Sequence, residues 1–338
     1  MVEWNKKSRF EAHLNGKHAD RPIVSAWYHF LDKEQTALDL AEATIEFANK
    51  FNWDWIKINP RATYLAEAFG NQYDLNDYQW VFPKQTNAVV KESKDVWNIN
   101  EIDVEQSVPL QEQLETVSII RKALPETPIV QTLFSPLTIL LFLTGNSPYV
   151  DQSVYGSENP LLIKDLFRKE RSGVHKALHA ISLTMASYVK ELETVGADGI
   201  FYAVTGTAHP ALFDEAAFNE FSRPYDLIVL NAMSKGKRIL HTCGAQAHPK
   251  RFDNYPIEGI SWDANAEGNP GLNISLNKTK VAGIDHHTFA EASVTSIREQ
   301  IEYALETMKN QPFLLVPNCC VSFDVTDAAL RELRENIK

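Results

Sequence analysis

Short apolar runs alternate regularly along this chain with longer segments of helical periodicity. Strands that alternate with helices pair in parallel, because each crossover helix returns the chain to the same end of the sheet. Eight runs predict strands: Ile23–Phe30, Trp55–Asn59, Ile129–Phe134, Gly199–Val204, Arg238–Thr242, Gly259–Asp263, Lys280–Asp285 and Phe313–Val316. Eight units in 338 residues favour an α/β fold, a (β/α)8 barrel of the TIM type. A doubly wound open sheet is the alternative that strand counting leaves open.

The segments between these strands have the apolar spacing of helices. They are Thr36–Asn49, Leu110–Ala123, Leu161–Thr194, Glu215–Met233, Val294–Asn310 and Asp327–Ile337. The length would suit either two ordinary domains or one large barrel. The unbroken alternation favours one barrel domain over residues 1–338.

Two segments are too long for the loops of a minimal barrel. Arg61–Asp103 is long, polar and rich in aromatic residues, and Thr144–Pro160 is rich in Gly, Asn, Ser, Pro and Tyr. Long loops after barrel strands often form lids or substrate walls. We therefore expect long loop insertions that act as cavity walls, with plain surface insertions as the equal alternative.

Charge and hydropathy exclude several classes of partner. Thirty-three basic and 44 acidic residues give a net charge of −11, whereas nucleic acids and anionic membranes bind basic surfaces. No apolar run approaches the roughly 18 residues of a membrane span. The segment Met1–Phe10 lacks the apolar core of a signal peptide. We expect a cytoplasmic protein that binds neither nucleic acid nor membrane, and a homo-oligomer is compatible with the sequence.

The chain has three cysteines, a small and odd number that does not suit a disulfide framework, but their positions are informative. His241 and Cys243 lie two residues apart at the end of a predicted strand, so their side chains share one face. Another predicted strand, Phe313–Val316, runs into the pair Cys319 and Cys320. The carboxyl ends of barrel strands face one shared cavity, where catalytic groups gather.

One imidazole and two thiols at this end of a barrel suggest a zinc site. Catalytic zinc takes three protein ligands of these types and keeps a fourth position open. A thiol that enters the fourth position loses its proton and becomes a nucleophile at neutral pH. The alternative is that the cysteines are buried as small apolar residues beside a core histidine. The sequence contains no glycine-rich phosphate loop. The nearest match surrounds Gly244, and it lacks the further glycines of such motifs.

The chain resembles the uroporphyrinogen decarboxylase superfamily. The motifs that carry the resemblance are Phe134–Thr138 (FSPLT), Gly196–Ile200 (GADGI), Phe218–Tyr225 (FNEFSRPY), Ile257–Asp263 (IEGISWD) and Val281–Asp285 (VAGID). The most specific are His241–Gly244 (HTCG) and Pro317–Val321 (PNCCV). These two resemble the His-x-Cys-Gly and Pro-Gly-Cys stretches of the zinc- and cobamide-dependent methyltransferases, the methylcobamide:coenzyme M methyltransferase type.

This resemblance implies a zinc-assisted transfer of a methyl group from a methylated corrinoid, on a separate corrinoid protein, to a small-molecule thiol. It implies that His241, Cys243 and Cys319 bind the zinc. Cys320 is a rival for the third position, because the family has a small or polar residue there. Adjacent strand residues face opposite ways, so we expect only one of the two cysteines to reach the metal.

The resemblance also brings in tetrapyrrole decarboxylation as an alternative function. The decarboxylase holds substrate carboxylates with a paired-arginine motif, whereas the corresponding stretch here has no arginine after Arg21. Its Phe-Ser-Asp strand and its Gly-His-Gly motif are also missing. A non-catalytic barrel that binds a metal or a corrinoid is the second alternative.

Three further residues at predicted strand ends are candidates for catalysis. Asp263, Asp285 and His286 offer groups for substrate positioning, proton transfer or a displaceable fourth metal ligand. The alternative is that they cap strand ends and turns.

Overall fold

The computed structural model describes residues 3–150, 152–290 and 294–337. The strands in these ranges are β1 (Ile23–Val24), β2 (Ile56–Ile58), β3 (Gln72–Gln79), β4 (Phe82–Asn87), β5 (Ile129–Phe134), β6 (Gly199–Thr205), β7 (Lys237–Thr242), β8 (Gly259–Trp262), β9 (Thr279–Ile284) and β10 (Phe313–Pro317). Eight of them form one parallel sheet in the order β1-β10-β9-β8-β7-β6-β5-β2. The first strand therefore pairs with the last, as in a barrel and unlike an open doubly wound sheet. The predicted α/β barrel is confirmed.

The helices surround this sheet. They are α1 (Lys6–Leu14), α2 (Ala37–Phe51), α3 (Tyr64–Ala68), α4 (Val108–Ala123), α5 (Pro136–Leu143), α6 (Ile163–Lys169), α7 (Arg171–Thr194), α8 (Glu215–Phe221), α9 (Arg223–Leu230), α10 (Val294–Met308) and α11 (Asp327–Glu335). Within the described ranges, every helix is too short or too polar to cross a bilayer.

The seam between β1 and β2 closes the barrel with few backbone bonds. The Asp54 amide donates to the Val24 carbonyl at 3.0 Å. The Asp54 carboxylate accepts the Val24 amide at 2.9 Å and both terminal nitrogens of Arg21 at 2.7 Å. The Ser25 hydroxyl donates to the Trp55 carbonyl at 2.7 Å. One side chain thus replaces much of the ladder that neighbouring strands normally share.

The barrel interior is filled by large aromatic side chains. Trp27 packs against Trp55 and against Phe201, with ring centroids 5.7 Å and 5.5 Å apart. Phe10 and Leu14 of α1 join the same buried cluster from the amino-terminal end of the strands. Because this end is plugged, the cavity lies at the carboxyl ends, where the predicted ligands are found.

Several predicted elements have different bounds in the structure. The strand predicted over Ile23–Phe30 ends at Val24. Beyond Val24, a side-chain hydrogen bond such as that of Ser25 replaces the backbone hydrogen bonds of a strand pair. The helix predicted over Leu161–Thr194 is interrupted at Glu170, whose φ is −127°. The helix predicted over Glu215–Met233 breaks at Ser222, just before Pro224, which has no N–H for a helical bond.

The long segment Arg61–Asp103 is more ordered than its polar composition suggested. It contains α3 and the antiparallel hairpin of β3 and β4, which turns at Trp80 with φ of +62°. The helix α1 was also missed. It begins with a capping box in which Asn5 and Ser8 bind each other's backbone amides, a signal that the sequence does carry.

A buried carboxyl behind the barrel makes stability depend on pH. Asp226 accepts hydrogen bonds from Tyr202 at 2.6 Å, Ser222 at 2.8 Å and Tyr255 at 3.1 Å. Burial nevertheless raises the pKa of Asp226 to about 6. The folded state therefore favours the protonated carboxyl of Asp226. The free energy of unfolding falls as the pH rises from about 4 through 6, because the unfolded chain loses this proton at a lower pH than the folded protein does.

The variant Asp226→Asn is expected to remove this dependence. Between pH 4 and pH 7, the wild type should lose up to about 3 kcal/mol of unfolding free energy relative to the variant, because two pKa units correspond to that energy. Urea unfolding of both proteins at several pH values measures the difference. Parallel pH profiles for the two proteins would contradict it.

Candidate metal centre and substrate cavity

A cavity of about 560 Å³ opens at the carboxyl ends of the barrel strands. Trp80 and Phe82 of the hairpin form one wall, and Pro148 and Tyr149 of the segment 144–160 form another. Both insertions therefore act as cavity walls, as one of the two readings of the sequence expected. Trp80 is 73% exposed, which places an aromatic side chain at the rim.

The predicted ligands converge in this cavity. His241 is on β7, Cys243 follows the strand directly, and Cys319 follows β10. One ligand atom from each residue lies within 4.8 Å of the others. The Cys243 and Cys319 sulfurs are 3.7 Å apart, too far for a disulfide, and all three cysteines are free.

The orientation of His241 is fixed from behind. Its Nδ1 is 3.0 Å from the Ser261 hydroxyl on β8, which leaves Nε2 as the nitrogen available to a ligand. Burial, with the charge of Lys57, lowers the pKa of His241 to about 4. The ring is therefore neutral at pH 7, which is the form that binds metals.

The two thiols lie within hydrogen-bonding distance of each other. The hydrogen bond between them lowers the pKa of Cys243 and raises that of Cys319. The Tyr149 hydroxyl lies 3.5 Å from the Cys243 sulfur and adds a second donor. Cys243 is therefore the more readily deprotonated of the two thiols.

This donor set fits zinc. Two thiolates bound to tetrahedral zinc at about 2.3 Å lie about 3.8 Å apart, close to the 3.7 Å between Cys243 and Cys319. One neutral imidazole and two sulfurs complete a three-ligand set of the catalytic type, which keeps a fourth position open.

Cys320 lies in a different environment. Its sulfur accepts the Asn59 side-chain amide at 3.2 Å, and Asn59 in turn accepts a hydrogen bond from Lys57. The Nδ1 of His29 is 3.2 Å from Glu34, and Cys320 and Glu34 both stabilise the charged form of this histidine. Burial lowers the pKa of His29, but these two partners outweigh it and raise that pKa to about 9. Cys319, and not Cys320, is the cysteine that joins His241 and Cys243.

The other predicted residues are divided between the cavity and its support. Asp263 and His286 line the cavity, with His286 Nδ1 3.8 Å from an Asp263 oxygen. Asp285 instead begins the turn His286–Phe289, where its carboxylate accepts the His287 amide at 2.9 Å. His287 joins Asp263 and His286 in a second group whose ligand atoms lie within 4.8 Å of one another.

Sequence reasoning missed His29 and Tyr149, which both line the cavity. His29 belongs to the run Ile23–Phe30, whose last residues leave the strand geometry, so the two-residue alternation gave no guide to its side chain. Tyr149 lies in an irregular loop, where spacing carries no signal for facing direction. The tyrosine content of that loop was the one available hint.

A family model and several solved structures match this chain. The family model described as uroporphyrinogen decarboxylase (URO-D) matches residues 5–338. A search of curated proteins found no match. Among solved structures, a methyltransferase from Methanosarcina mazei has a TM-score of 0.73 at 18% identity, covering 99% of each chain.

Two further similar structures are methionine synthases. A B12-independent methionine synthase from Shewanella sp. W3-18-1 has a TM-score of 0.56 at 15% identity, covering 93% of this chain and 96% of that one. A putative vitamin-B12 independent methionine synthase from Listeria monocytogenes has a TM-score of 0.54 at 14% identity, covering 93% and 94%. At these identities the likeness concerns the fold.

Proposed function

The chain belongs to the uroporphyrinogen decarboxylase family, and from this premise we propose that it is a zinc-dependent methyltransferase. It transfers a methyl group from a methylated corrinoid, carried by a separate corrinoid protein, to a small-molecule thiol. The observation that carries the proposal is the convergence of His241, Cys243 and Cys319 at the floor of the cavity. The similar fold of a Methanosarcina mazei methyltransferase supports it.

His241, Cys243 and Cys319 would hold the zinc. When bound, zinc lowers the pKa of an acceptor thiol that reaches its open position, so that the acceptor is a thiolate at neutral pH. The chain's own residues prepare this site. Ser261 fixes the ring of His241, and Tyr149 donates toward the Cys243 sulfur, which tempers the charge of that thiolate.

The transfer itself is a displacement at carbon. The thiolate sulfur attacks the methyl carbon, a carbon–sulfur bond forms, and the bonding electron pair of the methyl group's former bond stays with the donor. The acceptor's thiol proton has already left to solvent. The apolar walls of Trp27, Phe82 and Phe201 exclude water, which strengthens the nucleophile by leaving it poorly solvated.

The remaining predicted residues have supporting roles. We assign Asp263 and His286 to positioning the acceptor, because they line the cavity. We assign Asp285 to holding the turn that carries His286, because its carboxylate begins that turn. The exposed Trp80 and Phe323 at the rim offer a surface to the partner that brings the donor.

The experiment is a metal and turnover assay of the purified protein. We expect about one zinc per chain at this site, and conversion of methylcobalamin to the demethylated cobalamin only when a thiol is present, with a thioether detected by mass spectrometry. A non-corrinoid methyl donor is run in parallel, because two similar structures are B12-independent methionine synthases. Zinc without transfer from any donor would favour the non-catalytic metal- or corrinoid-binding barrel.

The second candidate function is decarboxylation of uroporphyrinogen, favoured by the activity for which the family is named. A substrate with many carboxylates requires fixed guanidinium groups. In the described part of the chain, the cavity lining contains no arginine. Arg21 is bound to Asp54, and Arg61 to Glu67 and Glu112. We therefore expect no turnover of uroporphyrinogen.

The variant Ser261→Ala is expected to weaken zinc binding roughly 10- to 100-fold, because a partner that orients a ligating histidine contributes about this much. Competition with a chelator of known affinity measures the change. Ser182→Ala, which removes a buried serine hydroxyl on α7, is the control and should leave zinc affinity unchanged. Equal zinc affinity in the Ser261→Ala variant and the wild type would count against Ser261 as the support of His241.

A further inference from the structure

We propose that Asp263, His286 and His287 form a second metal site, which binds a divalent cation through nitrogen and oxygen. It lies in the same cavity as His241, Cys243 and Cys319 but shares no ligand with them. The inference goes beyond the proposed function, in which Asp263 and His286 line the cavity to position the acceptor and His287 has no part.

The ligand atoms of these three residues lie at distances that suit one shared ion. One atom from each of the three residues lies within 4.8 Å of the others, and His286 Nδ1 is 3.8 Å from Asp263 Oδ2. Ligands that share a metal at about 2.1 Å lie roughly 3–4 Å apart. The separation is too long for a hydrogen bond and suits two ligands of one ion.

One of the candidate ligand residues has a buried nitrogen for which the described residues offer no hydrogen-bond partner. His286 Nδ1 is inaccessible to solvent and makes no hydrogen bond to the residues that the structure describes. Such an atom is costly to leave unpaired. A cation placed between His286 and Asp263 would satisfy this nitrogen and the facing carboxylate oxygen together.

Neighbouring residues hold these ligands in place. Asp263 Oδ1 accepts the Asn265 amide at 3.0 Å and the Asn318 side chain at 3.2 Å, which leaves Oδ2 to face His286. The rings of His286 and His287 have centroids only 4.0 Å apart, so consecutive side chains turn to the same side.

The turn that carries both histidines is itself braced. Asp285 accepts the His287 amide at 2.9 Å, and the Asp285 amide donates to Gln300 of α10 at 2.7 Å. Metal ligands are commonly oriented by a layer of hydrogen bonds of this kind.

The two donor sets select different metals. Two thiolates and one imidazole favour zinc, whereas two imidazoles and one carboxylate also suit manganese, iron(II) and cobalt. We therefore expect the second site to accept Co²⁺ or Mn²⁺ when the first holds zinc.

The experiment titrates metal-free full-length protein with Co²⁺, followed by absorption and by equilibrium dialysis. We expect two ions per chain, of which one has the near-ultraviolet absorption of cobalt–sulfur bonds. His287→Ala should retain that absorption and bind one ion, with affinity for the second lowered at least about 100-fold. The exposed His179→Ala is the matched control and should bind two.

The variant Cys243→Ser/Cys319→Ser separates this inference from the proposed function. It should lose the sulfur absorption and still bind one ion, and circular dichroism checks that it is folded. If it misfolds, the His287→Ala comparison decides alone. Binding of a single ion by the wild type, or a stoichiometry that His287→Ala leaves unchanged, would overturn the second site. If the wild type binds a single ion, and both the cysteine variant and Asp263→Asn lose it, Asp263 is a fourth ligand of the first site. That result would also overturn the second site.

Discussion

Replacing Cys319 with serine is expected to remove stoichiometric zinc from His241 and Cys243 and to lower kcat/KM for methyl transfer at least about 10³-fold. A bound metal stabilises a negatively charged reacting group by several kcal/mol. Because each 1.4 kcal/mol in the activation free energy changes the rate about tenfold, loss of the metal should slow the transfer by this factor. The serine differs from cysteine by one atom, so the packing of the buried site is nearly preserved. Zinc content by mass spectrometry and the initial rate with methylcobalamin measure the two effects.

The adjacent cysteine supplies the control for this prediction. Cys320 accepts a hydrogen bond from Asn59 and lies outside the group that His241 forms with Cys243 and Cys319. Cys320→Ser should therefore retain one zinc at that site and most of the activity. Zinc that persists in Cys319→Ser and disappears in Cys320→Ser would exchange the roles of the two cysteines.

The variant Asp54→Ala is expected to lower the free energy of unfolding by about 3–5 kcal/mol, the largest effect on stability that we anticipate. The carboxylate is almost completely buried, and it joins β1 to β2 through Arg21 and the Val24 amide. Its removal leaves a largely buried guanidinium without its counter-charge. It also opens the seam where the sheet has the fewest backbone bonds.

Urea unfolding followed by circular dichroism measures this loss. The pair formed by Lys50 and Asp327 is the control, because both side chains are about half exposed. Asp327→Ala should change the unfolding free energy by less than about 1 kcal/mol. A change of that small size in Asp54→Ala would mean that the seam does not depend on the Arg21–Asp54 pair.

The periodic parts of the fold were predictable from the sequence, and the irregular parts were not. The buried strands β5 to β10 follow from apolar runs, because a parallel sheet covered on both faces must be apolar throughout. β1 was predicted six residues too long, since Ile23–Phe30 stays apolar after its backbone leaves the ladder. The hairpin of β3 and β4 was missed because its exposed faces carry few apolar side chains.

The site was predictable where strand geometry fixed the side chains. His241 and Cys243 face one side because strand residues alternate. The same alternation gave the expectation that only one of Cys319 and Cys320 would join them, and the structure places Cys319 there. His29 and Tyr149 reach the cavity from irregular segments, and their positions depend on tertiary packing that no local pattern encodes. Asp285 was grouped with the cavity residues because it ends a strand, although its carboxylate begins a turn.

X-ray absorption at the zinc edge of the purified protein, before and after addition of an acceptor thiol, tests the proposed zinc site most directly. We predict two sulfur ligands at about 2.3 Å in the resting protein and three with the thiol bound. Zinc bound by nitrogen and oxygen alone, or a sulfur count that the added thiol does not change, would contradict it.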